Sequence, residues 1–170
     1  MSNIYLVGMM GSGKSVTGKR LAPMLGSEFV DLDNWIEKRT GRPIREIFEK
    51  EGEPYFREQE AALLKEASGT GPRVVATGGG AVLRPENVER MRETGKVVYL
   101  EASLETLWKR VKEKNDRPLL KNGEPKQALA RILGEREALY KTTCDFRVNT
   151  DGQKAERVAR EIFEILRKRK

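Results

Sequence analysis

Gly8-Met9-Met10-Gly11-Ser12-Gly13-Lys14-Ser15 decides how this sequence is read. The stretch matches G-x-x-x-x-G-K-[ST], in which backbone N–H groups wrap phosphate oxygens, the lysine reaches the outer phosphates and the hydroxyl ligates magnesium. Residues 4–7 before it form a short apolar run, and residues 17–25 after it have helix-compatible spacing, so the loop joins a strand to a helix. A strand, this loop and a helix, in that order, imply a bound nucleoside triphosphate with its metal ion.

Outward from the loop, the same alternation continues. Residues 29–31, 74–76, 97–100 and 146–148 are further short apolar runs bounded by turn residues. Between them lie helix-period stripes such as Leu104, Leu107, Trp108 and Val111, or Val158, Ala159, Ile162 and Phe163. Five strands alternating with helices predict a parallel sheet covered on both faces. Residues 112–126 are mostly charged and contain Pro118, Gly123 and Pro125, which predicts a mobile excursion. The 170 residues suffice for one domain, and no second unit is expected.

Charge and composition narrow the chemistry. The 33 basic and 26 acidic residues leave a net charge of +7, but the basic residues interleave with glutamates along most of the chain. Such interleaving fits small anions better than nucleic acid or a membrane surface. No apolar run is long enough to span a bilayer, and a lone Cys144 forms no internal disulfide, so a cytoplasmic protein is expected. There is no histidine, so proton transfer near neutral pH falls to a carboxylate, a lysine or the substrate.

A second acid commonly shares the metal in proteins with this loop. The run at 74–76 ends in Thr77-Gly78-Gly79-Gly80 without one, so Asp31, closing the second strand, is the better candidate. Asp33 lies two residues on and faces the same side if the strand continues. Equally, Asp33 reads as the N-cap of the next helix.

Two arginines stand where apolar residues belong. Arg136 continues the face of Leu129, Ile132 and Leu133 toward Tyr140, and Arg57 shares a face with Ala61 and Leu64 beside Glu60. An inward arginine needs an anion, either a glutamate of the fold or a carboxylate or phosphate of a ligand. Gly78-Gly79-Gly80 permits close backbone approach to a ligand and equally a plain tight turn. Arg117 either closes over the phosphates or is a solvated surface residue.

Jointly these elements resemble the shikimate kinase family over nearly the whole chain. The resemblance rests on residues 8–15, Asp31-Leu32-Asp33, Gly52-Glu53-Pro54-Tyr55-Phe56-Arg57, Thr77-Gly78-Gly79-Gly80, Arg117-Pro118-Leu119-Leu120 and Arg136 within Glu135-Arg136-Glu137-Ala138-Leu139-Tyr140. It implies an α/β three-layer P-loop NTPase sandwich of the nucleoside-monophosphate-kinase type, with a five-stranded parallel sheet. A substrate region near 33–60 and a lid near 112–124 would complete it. The implied reaction is ATP-dependent phosphorylation of the 3-hydroxyl of shikimate, on the route to aromatic amino acids, by a cytoplasmic monomer.

By the same resemblance, Asp33 contacts the ring hydroxyls and is the base. Arg57 and Arg136, helped by Gly79 and Gly80, hold the carboxylate, while Lys14 and Arg117 stabilise the phosphoryl charge. Ser15 and Asp31 serve magnesium. Gly11, Ser12, Gly13, Lys14, Ser15 and Val16 bind ATP, and Arg110 and Gln153 fall near the adenine. Val16 departs from the hydroxyl residue common at that position, which would weaken one contact to the inner phosphate without disturbing Lys14 or Ser15. Competing expectations are a gluconate kinase of similar layout and a nucleotide-dependent nucleic-acid-binding module. A GTPase is disfavoured because no Asn-Lys-x-Asp motif follows the fourth strand.

Overall fold

The first apolar run becomes β1 (Asn3–Val7), and all five of its residues are buried, as a central parallel strand covered on both faces requires. The computed structural model describes residues 2–69, 71–112 and 124–168. After β1 come α1 (Lys14–Met24), β2 (Glu28–Asp31), α2 (Leu32–Thr40), α3 (Ile44–Lys50) and α4 (Gly52–Gly69). Then follow β3 (Arg73–Ala76), a 3₁₀ turn (Ala81–Leu83), α5 (Pro85–Thr94), β4 (Gly95–Glu101) and α6 (Leu104–Val111). The described chain closes with α7 (Pro125–Thr143), β5 (Phe146–Asn149) and α8 (Ala155–Lys168).

The five strands form one parallel sheet in the order β2-β3-β1-β4-β5. Strand alternation divides the core in two. Ile4 and Leu6 pack with Leu21, Val158 and Ile162 on the face covered by α1 and α8, whereas Tyr5 and Val7 pack with Leu64, Met91 and Tyr140 on the other. This is the three-layer sandwich expected from the sequence.

The topology also sets where a ligand can sit. From β1 the chain crosses to β2 on one side, and from β4 it crosses to β5 on the other, so the sheet switches direction between β1 and β4. Ligands of open α/β sheets bind beyond the carboxyl ends of strands at such a point. The register pairs Leu6 with Ala76 and Ala76 with Asp31, so the ends of β1, β2 and β3 are level. Thr77 extends the alignment, its backbone N–H (3.1 Å) and its hydroxyl (3.0 Å) both donating to the Leu6 carbonyl. The loops after these strands therefore open on one edge.

One boundary differs from expectation. Helix α2 begins directly at Leu32, and its N-cap is Asp31, whose Oδ1 accepts from the Asn34 N–H at 3.3 Å. Asp33 lies in the first turn of that helix and is not the cap. The strand-alternation argument for pairing the two carboxylates therefore fails, because Asp33 is helical. Among the described residues, no helix is long and apolar enough to cross a membrane. Most of the expected charged excursion, 113–123, lies outside the described residues.

Candidate active site

Glycines let the loop after β1 fold tightly on itself. Gly8 has φ 145°, and a Cβ there would lie 2.7 Å from the Leu100 carbonyl oxygen and 2.9 Å from Ser12 Oγ. Gly13 has φ 95° and caps α1, whose N-terminal N–H groups face the loop and favour an anion. Lys14 Nζ donates to the carbonyls of Gly8 (2.7 Å) and Met9 (2.9 Å), so its charge sits over the loop. Ser15 donates its hydroxyl to Asp31 Oδ2 at 2.5 Å. These are hard oxygen donors, the kind magnesium takes together with phosphate oxygens. Among the described residues, no group of three or more Asp, Glu, His or Cys could hold a metal alone.

Beside the loop opens a cavity of about 260 Å³. Ser15, Asp31, Asp33, Arg57, Gly79, Gly80 and Arg136 all line it, with Phe48, Phe56, Ile44 and Met10 as apolar wall. The two carboxylates thus share one cleft, brought there by the strand end and the helix turn in succession. Arg45, Asn34 and Glu37 also reach the cavity, positions the motif reading did not single out.

The inward arginines are both buried, Arg57 to 9% and Arg136 to 6% exposure. Arg57 donates from Nη1 to Glu60 Oε2 (2.9 Å) and from Nε and Nη2 to Glu53 Oε1 (3.2 and 2.9 Å). Burial alone would lower its pKa, but Glu60 and Glu53 more than offset that and raise it, so the guanidinium stays charged. Glu60 is fully buried. Desolvation pushes its carboxyl upward against the opposing pull of Arg57. A fold-derived partner and a ligand-facing position therefore coexist at Arg57.

Glycine is required where the third strand ends. A Cβ at Gly80 would overlap the Arg57 guanidinium, and one at Gly78 would overlap Glu60 Oε1 and come within 3.2 Å of Asp33 Oδ1. The glycine run lets backbone meet these charged groups at close range. Tyr140, which closes an apolar stripe and the Glu135–Tyr140 stretch but carried no assigned role, donates its hydroxyl to the Gly79 carbonyl at 2.5 Å. Its ring stacks on Tyr99 with centroids 5.1 Å apart. Burial pushes the Tyr140 phenol up to about 12, so it remains a donor across the physiological range.

The remaining candidates lie elsewhere. Arg110 donates to the Gly11 carbonyl (3.0 Å) and to Thr150 Oγ1 (3.1 Å) and its carbonyl (2.8 Å), bracing the loop after β1 against the one after β5. Gln153, in that second loop, donates to the Asn149 carbonyl at 2.8 Å. Val16 is 57% exposed. Arg117 lies outside the described residues.

A phosphate-binding loop here adjoins a small charged pocket lined by both carboxylates and guanidiniums, and that combination defines a P-loop kinase for a small-molecule acceptor. Comparison with known proteins makes the class specific. The family model described as shikimate kinase matches residues 10–167. A shikimate kinase of Geobacter sulfurreducens is 47% identical over 165 residues, covering 97% of this chain and 91% of that protein. One of Vibrio campbellii is 44% identical over 167 residues, covering 98% and 97%. The solved structure of shikimate kinase from Acinetobacter baumannii in complex with shikimate superposes with a TM-score of 0.97 at 40% identity, covering 100% of this chain and 95% of that one. The chain belongs to the shikimate kinase family.

Proposed function

We propose that this chain transfers the γ-phosphoryl group of ATP to the 3-hydroxyl of shikimate using the residues that line the described cavity. The observation that carries this assignment is the convergence of Ser15, Asp33, Arg57 and Arg136 on one cavity beside the phosphate loop. Arg57 and Arg136 hold the acceptor carboxylate, the paired charge-assisted geometry for which guanidinium is suited. Asp33 lines the same cavity, and in this reading it binds the ring hydroxyls and accepts the proton of the attacking one.

In the transfer, the acceptor oxygen bonds to the γ-phosphorus as the bridging β–γ bond breaks and ADP leaves. The proton passes to Asp33 late, because such transition states are loose and depend mainly on positioning and electrostatics. Lys14 and the N-terminus of α1 stabilise the phosphate charge, and Arg117 does so from the lid assigned to 112–124. Ser15 and Asp31 would hold magnesium, which would supply charge neutralisation to the bound triphosphate. Gly11, Ser12, Gly13 and Val16 cradle the nucleotide, while Arg110 and Gln153 border its base. The acceptor region spans 33–60, and the protein acts as a cytoplasmic monomer.

Phosphorus NMR of a reaction with ATP, magnesium and shikimate tests the assignment. One phosphate ester on the 3-oxygen with equimolar ADP is expected. Esterification at another oxygen, or ADP without ester, would overturn it.

A further inference from the structure

Tyr140 is fully buried, yet its hydroxyl is spent on a carbonyl of the glycine run that faces the acceptor cavity. The same oxygen lies 3.6 Å from Met9 Sδ in the phosphate loop, and Arg136 precedes it by one turn of α7. One hydroxyl therefore touches the phosphate loop and the glycine run, on the helix that carries the acceptor-facing arginine.

The peptide joining Gly79 to Gly80 is trans, since the described chain has no cis bond. In a trans peptide the carbonyl and the following N–H point in opposite directions. With the Gly79 carbonyl drawn toward Tyr140 in the core, the Gly80 N–H points the other way. Among the described residues it donates to no protein acceptor. Both glycines line the acceptor cavity. A glycine pair could turn this peptide over at little cost, so something must hold it.

We propose that Tyr140 is a positioning residue whose hydroxyl fixes the Gly79–Gly80 peptide with its N–H presented to the acceptor, so that acceptor binding depends on a group that never touches the acceptor. The stacked Tyr99 ring holds the phenol in line, and Met9 beside it keeps the phosphate loop in register with the acceptor site. This rests on the acceptor assignment made above.

The test compares wild type, Tyr140→Phe and Tyr99→Phe in steady-state kinetics, with shikimate and nucleotide titrated separately. Tyr140→Phe preserves the ring while leaving a buried carbonyl without its donor, so the KM for shikimate should rise about tenfold. The KM for ATP should stay within about twofold of wild type. Tyr99→Phe, which removes a hydroxyl but keeps the ring stacked on Tyr140, should match wild type. An unchanged shikimate KM in Tyr140→Phe overturns the proposal, as does an equal loss for both substrates, which marks a purely structural role. Should Tyr140→Phe not fold, amide hydrogen exchange on the wild-type protein decides. Shikimate should slow exchange at Gly80 and nucleotide alone should not, and no shikimate effect at Gly80 overturns the proposal. A wild-type enzyme inactive on shikimate counts against the acceptor assignment instead.

Discussion

A buried guanidinium costs several kcal/mol unless counter-charges meet it, and Arg57 meets Glu60 and Glu53 inside the fold. That pairing does not exclude a ligand, because the guanidinium also lines the cavity with Arg136. Removing Arg136 should therefore act on the acceptor more than on the fold. We expect Arg136→Ala to raise the KM for shikimate about 10- to 100-fold, the worth of a charge-assisted hydrogen bond, with little change in the KM for ATP, read by steady-state kinetics. Asp33→Asn keeps the shape of the cavity and removes the carboxylate proposed to accept the proton. Its kcat should fall by about 10²–10⁴, while nucleotide titration shows binding near wild type. Normal turnover from this variant would remove Asp33 from the mechanism. The residues with charge or glycine signatures were legible from sequence. Tyr140 was not, because a tyrosine on an apolar stripe looks like any core residue until its hydroxyl partner is seen.

Elements bring those residues together. The short strands were readable because parallel strands buried on both faces are nearly continuous apolar runs, as at 97–100. The start of α2 was not, because a side chain that caps a helix is also a plausible strand end, and Asp31 does both. Where β1 and β4 pair, a Cβ at Gly95 would overlap the backbone carbonyl of Asn3. Gly95→Ala should destabilise the protein by about 1–3 kcal/mol in chemical denaturation. Stability equal to wild type would contradict the central register. The turn after β5 has its own electrostatic device, for Asp151 accepts from the Ser103 N–H at 2.9 Å and from its hydroxyl at 3.2 Å. Burial opposes ionisation there, yet the hydrogen bonds from Ser103 and Thr106 win and lower the Asp151 pKa in the folded state. A depressed carboxyl stabilises the fold above its unfolded pKa and loses that contribution as pH falls through the folded value. Asp151→Asn should therefore lower the melting temperature at neutral pH, with the difference closing in acid. A difference that persists in acid would contradict the linkage.

At the scale of the whole molecule, direction of transfer follows from topology. The strand order puts the phosphate loop at the switch point, and the level ends of β1, β2 and β3 put Asp31, Asp33 and the glycine run on the same edge. The loop alone specifies a triphosphate. The inward arginines and the acid pair line one cavity beside it, and their inward placement was legible because charged residues interrupt an apolar pattern. The measurement that tests this most directly is ADP release with ATP and magnesium across a panel of shikimate, gluconate and nucleoside monophosphates. We expect rapid, saturable release with shikimate and only background hydrolysis with the others. Background release with shikimate, or faster release with another acceptor, would contradict the account.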